Sequence, residues 1–162
     1  MNKKKILIAT GGTGGHIFPA YSLSNNLIKN NYNVKLTTDK RGFDYLKDYS
    51  NLNLIKISSS PLIRKNILTI LFSVLFITFS IMKSVIILLF NRPSVVIGMG
   101  GYSSFPICIA AFILRIKFVI YENNLIIGKA NTFLLPFTDK IFVSYKDLEG
   151  IPHKYKKKVL EI

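Results

Sequence analysis

Residues 6–20 read ILIATGGTGGHIFPA, a short apolar run followed by four glycines within five residues and then a histidine. This order predicts a buried strand, a tight turn and the start of a helix. Glycine lets the backbone adopt positive φ and approach a ligand closely. The free N–H groups at a helix N-terminus attract anions such as phosphate. The stretch therefore indicates the first unit of an α/β domain that binds a nucleotide or a diphosphate.

The rest of the chain repeats the alternation of strand and helix. Strands are predicted over residues 5–9, 33–38, 52–57, 95–98, 117–122 and 140–144, and a further strand begins at 159–162. Helices are predicted over 17–30, 42–49, 105–114 and 128–137. Such alternation is typical of parallel βαβ units. We therefore expect one domain, a Rossmann-like α/β parallel sheet flanked by helices.

The composition is both basic and apolar. There are 22 Lys and Arg residues against 8 Asp and Glu, a net charge of +14, and 49% of the residues are hydrophobic. This balance favours an anionic membrane surface as a partner. Nucleic acid is not expected, because the basic residues lie beside apolar ones rather than among base-stacking aromatics. The single cysteine, Cys108, excludes an intrachain disulfide and is predicted to be a small buried hydrophobe.

A long apolar segment lies between the third and fourth predicted strands. Residues 66–82 carry no formal charge, Lys83 interrupts the run, and Arg64, Lys65 and Arg92 flank it. The run is long enough to span a bilayer. A single crossing is nevertheless rejected, because it would place strands of one sheet on opposite sides of the membrane. A narrow, weakly polar seam keeps helical spacing along Asn66, Thr69, Ser73, Ser80 and Ser84.

The favoured prediction for this segment is an interfacial helix, or helix pair, inserted in one leaflet. The alternatives are a core helix and a true span or re-entrant hairpin. The residues predicted to face the membrane are Ile67, Leu71, Phe72, Leu75, Phe76 and Phe79.

Three segments are expected at one edge of the sheet, because ligands of open parallel sheets bind beyond the carboxyl ends of the strands. They are the first glycine loop (residues 10–16), the second glycine loop (98–104) and residues 121–124. Two glycine turns that each lead into a helix can hold a diphosphate through main-chain N–H groups; glycine turns also occur simply to pack a helix closely on a strand. Ile17 occupies the third glycine position of the dinucleotide fingerprint, and no phosphate-loop lysine follows. A nucleotide-binding oxidoreductase, with Asp39 near a ribose, is therefore the weaker alternative.

Three side chains at this edge are candidates for chemistry. His16 begins a helix, whose positive end favours a neutral imidazole able to accept a proton, although a local packing role is the alternative. Glu122 has three open roles: orienting His16, holding a sugar hydroxyl or facing solvent. The Asn124 amide offers the donor and acceptor that carbohydrate recognition requires. His153 lies in the basic tail and is expected to be solvated. No metal-ligand spacing is found in the sequence.

These motifs resemble those of the MurG family, bacterial GlcNAc transferases of glycosyltransferase family 28 with a GT-B fold. Residues 11–20, GGTGGHIFPA, are similar to the family's N-terminal signature, and 98–104, GMGGYSS, to its second glycine loop. Residues 121–124, YENN, are similar to its His-Glu-Gln-Asn segment, from which Tyr121 and Asn123 depart. Residues 128–131 also fit. The resemblance covers essentially the whole chain and implies one half of a GT-B fold.

The resemblance implies inverting transfer of GlcNAc from UDP-GlcNAc to undecaprenyl-diphospho-MurNAc-pentapeptide in peptidoglycan synthesis. The apolar segment would dock peripherally on the anionic cytoplasmic face of the bacterial inner membrane. His16 is implied as the general base and Glu122 as a second catalytic residue. The implied substrate-binding residues are Gly12, Thr13, Gly14, Gly15, Gly100, Gly101, Tyr102, Ser104 and Asn124. No metal or other cofactor is implied.

The family also has a second Rossmann-like domain, opened by a Gly-Asn-Pro segment, that holds most of the UDP-GlcNAc. Residues 1–162 resemble only the N-terminal acceptor- and membrane-binding domain. We therefore expect either a fragmentary sequence or a donor-binding half on another chain. The alternative function is a non-catalytic, membrane-bound subunit that recruits a separate transferase half.

Overall fold

The computed structural model describes residues 3–49, 51–57 and 67–162, apart from the side chains of residues 67–69. Within these residues, seven strands form one sheet in the order β3-β2-β1-β4-β5-β6-β7, and every neighbouring pair is parallel. The strands are β1 (Lys5–Ala9), β2 (Asn33–Thr38), β3 (Asn53–Lys56), β4 (Val95–Gly98), β5 (Phe118–Glu122), β6 (Lys140–Val143) and β7 (Val159–Glu161). The helices are α1 (Gly14–Lys29), α2 (Lys40–Leu46), α3 (Ile67–Asn91), α4 (Ser104–Ile113), α5 (Lys129–Leu134) and a 3-10 helix (His153–Lys158).

The central strands of the sheet are apolar along their whole length because both of their faces are buried. Leu7, Ile8 and Ala9 of β1 are at most 1% exposed, because helices cover both faces of the sheet. β1 pairs with β2 on one side and with β4 on the other, in the register Ile6–Val95 to Ala9–Gly98. The strand order therefore reverses between β1 and β4. At such a switch point the loops that follow the two strands leave a crevice at the carboxyl edge.

Each face of the sheet has its own apolar core. On one face Ile17 and Ala20 of α1 pack with Leu36 and Leu46, and partly buried apolar residues of α1 join this cluster: Tyr21, Leu23, Leu27 and Ile28. On the other face Ile107 of α4 packs with residues from several elements. These are Leu88 of α3, Phe118 and Ile120 of β5, and Leu134 of α5.

The apolar segment is one continuous helix, α3. Its 25 residues extend about 37 Å, roughly twice the length of the strands. The side facing the protein carries Ser73, Ser80, Ser84 and Leu88, each at most 7% exposed. The opposite side is the outer face of α3, which consists of Leu71, Phe72, Leu75, Phe76, Phe79, Met82, Ile86 and Phe90, with exposed fractions from 40% to 84%. The core-helix alternative is therefore wrong.

Serine hydroxyls explain how a weakly polar seam faces inward. Ser84 donates to the Ser80 carbonyl at 2.6 Å, and Ser80 donates to the Phe76 carbonyl at 2.9 Å, so these hydroxyls bond within α3. Their small size lets α4 pack closely against α3. By length and composition Ile70–Asn91 could cross a bilayer. Its most apolar 18-residue stretch has a mean hydropathy of 2.3, and only 17% of that stretch is buried inside the protein. The strands before and after α3 belong to one sheet, as the argument against a single crossing required.

Several predicted positions differ or lie outside the described residues. α1 begins at Gly14 rather than residue 17, and α5 ends at Leu134 rather than 137. α2 spans Lys40–Leu46 rather than 42–49, because the Asp39 carboxylate caps it by accepting the Gly42 N–H. The predicted seam and flanking positions Arg64, Lys65 and Asn66 lie outside the described residues, as do the side chains of Ile67 and Thr69.

Candidate functional site

The two glycine loops lie against each other at the switch point. Ser103 donates a hydrogen bond from Oγ to the Thr10 carbonyl at 2.7 Å. A Cβ atom on Gly101 would overlap the Gly11 carbonyl oxygen, and one on Gly11 would overlap Ser103 Oγ. Gly101 also has a φ of +78°, which favours glycine. The predicted convergence of these loops on one edge is confirmed, and their close contact requires both glycines.

Main-chain N–H groups are available in both loops. Thr13 is the N-cap residue of α1 and makes no side-chain capping bond. Within the described residues, the amides of Gly14 and Gly15 have no hydrogen-bond acceptor, as expected at the start of a 16-residue helix. The amides of Gly100 and Gly101 likewise have no acceptor in the described part of the chain. Donors of this kind suit an anionic ligand.

His16 lies between the two loops. It occupies the first turn of α1, and its ring packs on Gly100, where an added Cβ would lie 2.7 Å from Nδ1. Nδ1 is buried and has no hydrogen-bond partner in the described structure. The histidine predicted from the first loop therefore packs against the second loop, with its Nδ1 buried and without a hydrogen-bond partner in the described structure.

The position of Glu122 does not fit two of its predicted roles, facing solvent and orienting His16. The side chain is 1% exposed, so the solvent-facing alternative is wrong. Oε1 accepts from the Asn124 backbone at 3.1 Å and the Asn124 amide at 2.6 Å, and Oε2 accepts from Gly128 N–H at 2.8 Å and Asn131 Nδ2 at 3.0 Å. Within the described residues, no hydrogen bond joins the Glu122 carboxylate to His16. Glu122 therefore shapes the connection from β5 to α5 rather than orienting the imidazole directly.

Asn123 connects the third segment to the first loop. Its Nδ2 donates to the Gly15 carbonyl at 2.6 Å, across 108 positions of sequence. This carbonyl is available because Pro19, four residues further on, has no N–H to bond it within α1. Pro19 was therefore the signal in the sequence that the Gly15 carbonyl would need a donor from outside α1, and this signal was missed.

Asn131 is a second residue that the sequence analysis did not place in the site. It is 1% exposed, and its Nδ2 donates to the Tyr121 carbonyl and to Glu122. Its Oδ1 is buried without a partner in the described structure. A polar residue inside the short helix α5 is the signal, since asparagine is a poor helix former and is seldom buried without a role.

A cleft of about 170 Å³ joins these elements. It is lined by His16, Gly100, Gly101, Tyr102, Glu122, Gly128, Lys129, Ala130 and Asn131. Around it, His16 Nδ1, Asn123 Oδ1 and Asn131 Oδ1 are buried acceptors without donors among the described residues. Buried acceptors are normally satisfied, so this set suits a ligand that brings hydroxyl or amide donors.

The remaining predicted residues have different positions. Thr13 and Asn124 are exposed at the edge, and Tyr102 lines the cleft. Ser104 is fully buried and donates to the Gly101 carbonyl at 2.8 Å, so its hydroxyl shapes the second loop. Tyr121 lies away from the cleft: its Oη shares a hydrogen bond with Ser144 Oγ, and it lines a separate apolar cavity of about 510 Å³.

Two further residues follow their predictions. His153 is exposed in the 3-10 helix, as expected for a solvated side chain. Cys108 is fully buried, and this burial raises the pKa of its thiol. Within residues 3–49, 51–57 and 67–162, no three His, Cys, Asp or Glu side chains are grouped as a metal site would require.

Comparisons with known proteins agree with this geometry. Residues 6–143 match the glycosyltransferase family 28 N-terminal domain. A Pelagibacter ubique protein named UDP-N-acetylglucosamine–N-acetylmuramyl-(pentapeptide) pyrophosphoryl-undecaprenol N-acetylglucosamine transferase is 39% identical over 157 residues, 96% of this chain and 43% of the relative. A Rickettsia felis protein of the same name is 38% identical over 159 residues, 97% of this chain and 42% of the relative.

Solved structures show the same fold. MurG from Acinetobacter baumannii superposes with a TM-score of 0.79 at 22% identity, covering 98% of this chain and 45% of that one. The UDP-GlcNAc 2-epimerase of Methanocaldococcus jannaschii gives 0.68 at 16% identity, covering 97% and 45%. At these identities the likeness concerns the fold alone, and it confirms the predicted Rossmann-like parallel sheet.

The chain belongs to glycosyltransferase family 28 and contains the family's N-terminal domain, because the family model matches most of its length. The resemblance inferred from the three motifs is thereby confirmed. The chain spans about two fifths of the length of the curated relatives it matches, 43% and 42% for the two described above.

Proposed function

We propose that this chain is the acceptor-binding half of a transferase that moves GlcNAc from UDP-GlcNAc to undecaprenyl-diphospho-MurNAc-pentapeptide. The observation that carries the proposal is the pair of interlocked glycine loops at the switch point of a family 28 domain. The names of the Pelagibacter and Rickettsia relatives supply the substrates.

The acceptor diphosphate is assigned to the amides of the two loops. Gly14 and Gly15 contribute donors at the positive end of α1, and Gly100 and Gly101 contribute donors from the facing loop. Main-chain donors at a helix start hold phosphate without a metal or a lysine. Exposed Lys129 at the start of α5 adds a positive charge beside the cleft.

The acceptor sugar is assigned to the cleft around His16. Unpartnered acceptors on His16, Asn123 and Asn131 match the hydroxyl and amide donors of an N-acetylated sugar. In the transfer step, the His16 imidazole takes the proton of the acceptor hydroxyl as the hydroxyl oxygen attacks the anomeric carbon of GlcNAc. The bond from that carbon to UDP breaks, UDP leaves, and the configuration is inverted. Glu122 and its partners hold the Asn124 and Asn131 amides in place.

The outer face of α3 is proposed to lie in the membrane that carries the lipid acceptor. An exposed apolar helix face with Lys83 beside it, in a chain of net charge +14, fits an interfacial helix on anionic lipid. Val85, Ile87 and Leu88 near the C-terminal end of α3 join the core. The preceding turns run toward the carboxyl edge, where the glycine loops lie. This arrangement supports peripheral attachment at the cytoplasmic face of the inner membrane.

A donor-binding half completes the proposed enzyme. The chain aligns with 43% of its Pelagibacter relative, and the groups described here account for an acceptor rather than for UDP-GlcNAc. We propose that a second half, on the same or another chain, holds most of the donor sugar nucleotide.

The test joins this chain to the donor-binding half of the Pelagibacter relative and measures GlcNAc transfer to the lipid acceptor in anionic vesicles. We expect turnover by the joined protein and none by the chain alone. His16→Ala is expected to lower kcat by about 10²–10⁴-fold, the usual contribution of a general base. His153→Ala, in the exposed tail, is the matched control and should leave turnover unchanged.

The outcomes separate the proposal from its alternative. Full activity in the joined His16→Ala protein would show that the base assignment is wrong. A joined protein that binds the lipid acceptor in vesicles but transfers no GlcNAc, together with capture of an active transferase half by the unmodified chain, would favour a non-catalytic recruiting subunit.

A further inference from the structure

Asp39 connects the first glycine loop to α2 through separate carboxylate oxygens. Oδ2 accepts the Gly12 N–H at 2.9 Å, and Oδ1 accepts the Gly42 N–H at 3.0 Å. The second bond is a helix N-cap, because Gly42 is the third residue of α2. The first bond has no role in α2. It holds Gly12, whose φ of +88° places it at the bend immediately before α1.

The first loop is held at three successive points by three different parts of the sheet edge. Ser103 bonds the Thr10 carbonyl, Asp39 bonds the Gly12 amide and Asn123 bonds the Gly15 carbonyl. Of these three side chains, Asp39 alone carries a charge, and its sign is the same as that of a diphosphate. Charge by itself would therefore weaken anion binding at this loop. A carboxylate at this position needs a geometric role that outweighs the repulsion.

We propose that Asp39 is a positioning residue for the anion site. By fixing the Gly12 N–H, it keeps the first glycine loop in the shape that presents the Gly14 and Gly15 amides to the ligand. Asp39 itself does not contact the ligand. The identity of that ligand, a polyprenyl diphosphate, rests on the function proposed above, whereas the hold on Gly12 does not depend on it.

The two roles of Asp39 can be separated by substitution. Serine is as good an N-cap as aspartate, so Asp39→Ser keeps the bond to Gly42. Its single, shorter-reaching oxygen cannot also accept the Gly12 N–H. Asp39→Ala removes both bonds. Asp44→Asn is the matched control, because it removes the same charge from an exposed position on α2.

The first measurement is calorimetric titration of the chain with farnesyl diphosphate, a water-soluble polyprenyl diphosphate. We expect Asp39→Ser to raise Kd about tenfold, the usual effect of losing a hydrogen bond to a charged group, and to lower Tm by less than Asp39→Ala does, because the cap bond to Gly42 is kept. Asp39→Ala should raise Kd equally and lower Tm by about 2–4 °C, because the cap is also lost. Asp44→Asn should leave both values unchanged. If Asp39 only caps α2, Asp39→Ser should bind farnesyl diphosphate with a Kd equal to or lower than that of the unmodified chain. This result would overturn the proposal.

The second measurement is NMR hydrogen exchange of the Gly12 amide in the ligand-free chain. Exchange at least about tenfold faster in Asp39→Ser, with no change in Asp44→Asn, is the expected result for an amide released from its acceptor. Unchanged Gly12 exchange would overturn the proposal whatever the titration shows. If exchange rises as expected but the unmodified chain does not bind farnesyl diphosphate, the hold on Gly12 is supported and the diphosphate assignment fails instead.

Discussion

The carboxyl edge of the sheet and the outer face of α3 are specified in opposite ways. At the edge, individual atoms have fixed partners: Ser103 meets Thr10, Asp39 meets Gly12, and Gly101 packs on Gly11. On the outer face of α3, the side chains are apolar and exposed, and neighbours of similar character surround each of them. Single substitutions should therefore have large effects at the edge. On the outer face, apolar character is shared by many side chains, so several residues must be substituted together to change it.

The largest effect on stability is expected for Gly101→Ala. The new Cβ would overlap the Gly11 carbonyl and also force alanine to adopt a φ of +78°. Backbone strain and steric overlap together should lower the free energy of unfolding by about 3 kcal/mol or more, measured by urea denaturation. Gly12→Ala is the matched control: its φ is +88°, but the nearest atom to an added Cβ is 3.9 Å away.

Gly12→Ala should therefore show strain alone, about 1–2 kcal/mol. Equal losses for the two variants would contradict the interlocking of the loops, because the contact with Gly11 would then add nothing to the cost of positive φ.

The next effect concerns the anchor of α3. Leu88 is fully buried against the core, whereas Leu89 beside it is 52% exposed. Leu88→Ala should lower the free energy of unfolding by about 2–3 kcal/mol, since it removes buried methyl groups and leaves a cavity. Leu89→Ala should change it by less than about 0.5 kcal/mol. Similar losses for the two variants would show that Leu89 is also packed against protein.

Ser103→Ala tests the bond that joins the two loops. The Ser103 hydroxyl is buried and donates to the Thr10 carbonyl at 2.7 Å. Its removal leaves a buried acceptor without that donor, so the free energy of unfolding should fall by about 1–2 kcal/mol. Thr132→Val, which removes an exposed hydroxyl bond in α5, should have a smaller effect. An unchanged urea midpoint for Ser103→Ala would weaken the picture of an edge fixed atom by atom.

The same contrast explains which parts of the molecule were predictable from the sequence. Apolar strands followed by glycine turns are local patterns, and the edge rule then places the two loops together without further information. The start of α1 was predicted three residues late, because glycines 14 and 15 are poor helix formers and tertiary contacts override their propensity. Periodicity predicted the seam of α3. It did not predict that this seam faces inward, because lipid and protein interiors favour the same side chains.

The site was predictable only in part, because its bonds are non-local. His16 and Glu122 could be recognised as rare chemical groups at the edge. The contact of Asn123 with Gly15 spans 108 positions, and that of Asp39 with Gly12 spans 27, so neither leaves a local pattern. The sequence left three roles for Glu122 open for the same reason. Three potential partners lie within nine residues of it, but only the fold shows that they occupy both carboxylate oxygens.

The smallest effect on stability, and the sharpest test of the comparison, is expected on the outer face of α3. Leu71→Ser, Phe72→Ser and Phe79→Ser together remove apolar groups that are 59–70% exposed. The free energy of unfolding should therefore change by less than about 1 kcal/mol. Flotation with phosphatidylglycerol vesicles should fall by about tenfold or more, since each buried apolar side chain contributes about 1.5–3 kcal/mol to insertion.

The matched control changes exposed apolar residues elsewhere: Tyr32→Ser, Tyr45→Ser and Leu160→Ser. This variant keeps the net charge of +14 and the outer face of α3, so its flotation should equal that of the unmodified chain. If both triple variants float equally well, attraction of the basic chain to anionic lipid accounts for binding without insertion. Adding salt would then release all three proteins alike, because surface charge attraction is screened whereas apolar insertion is not.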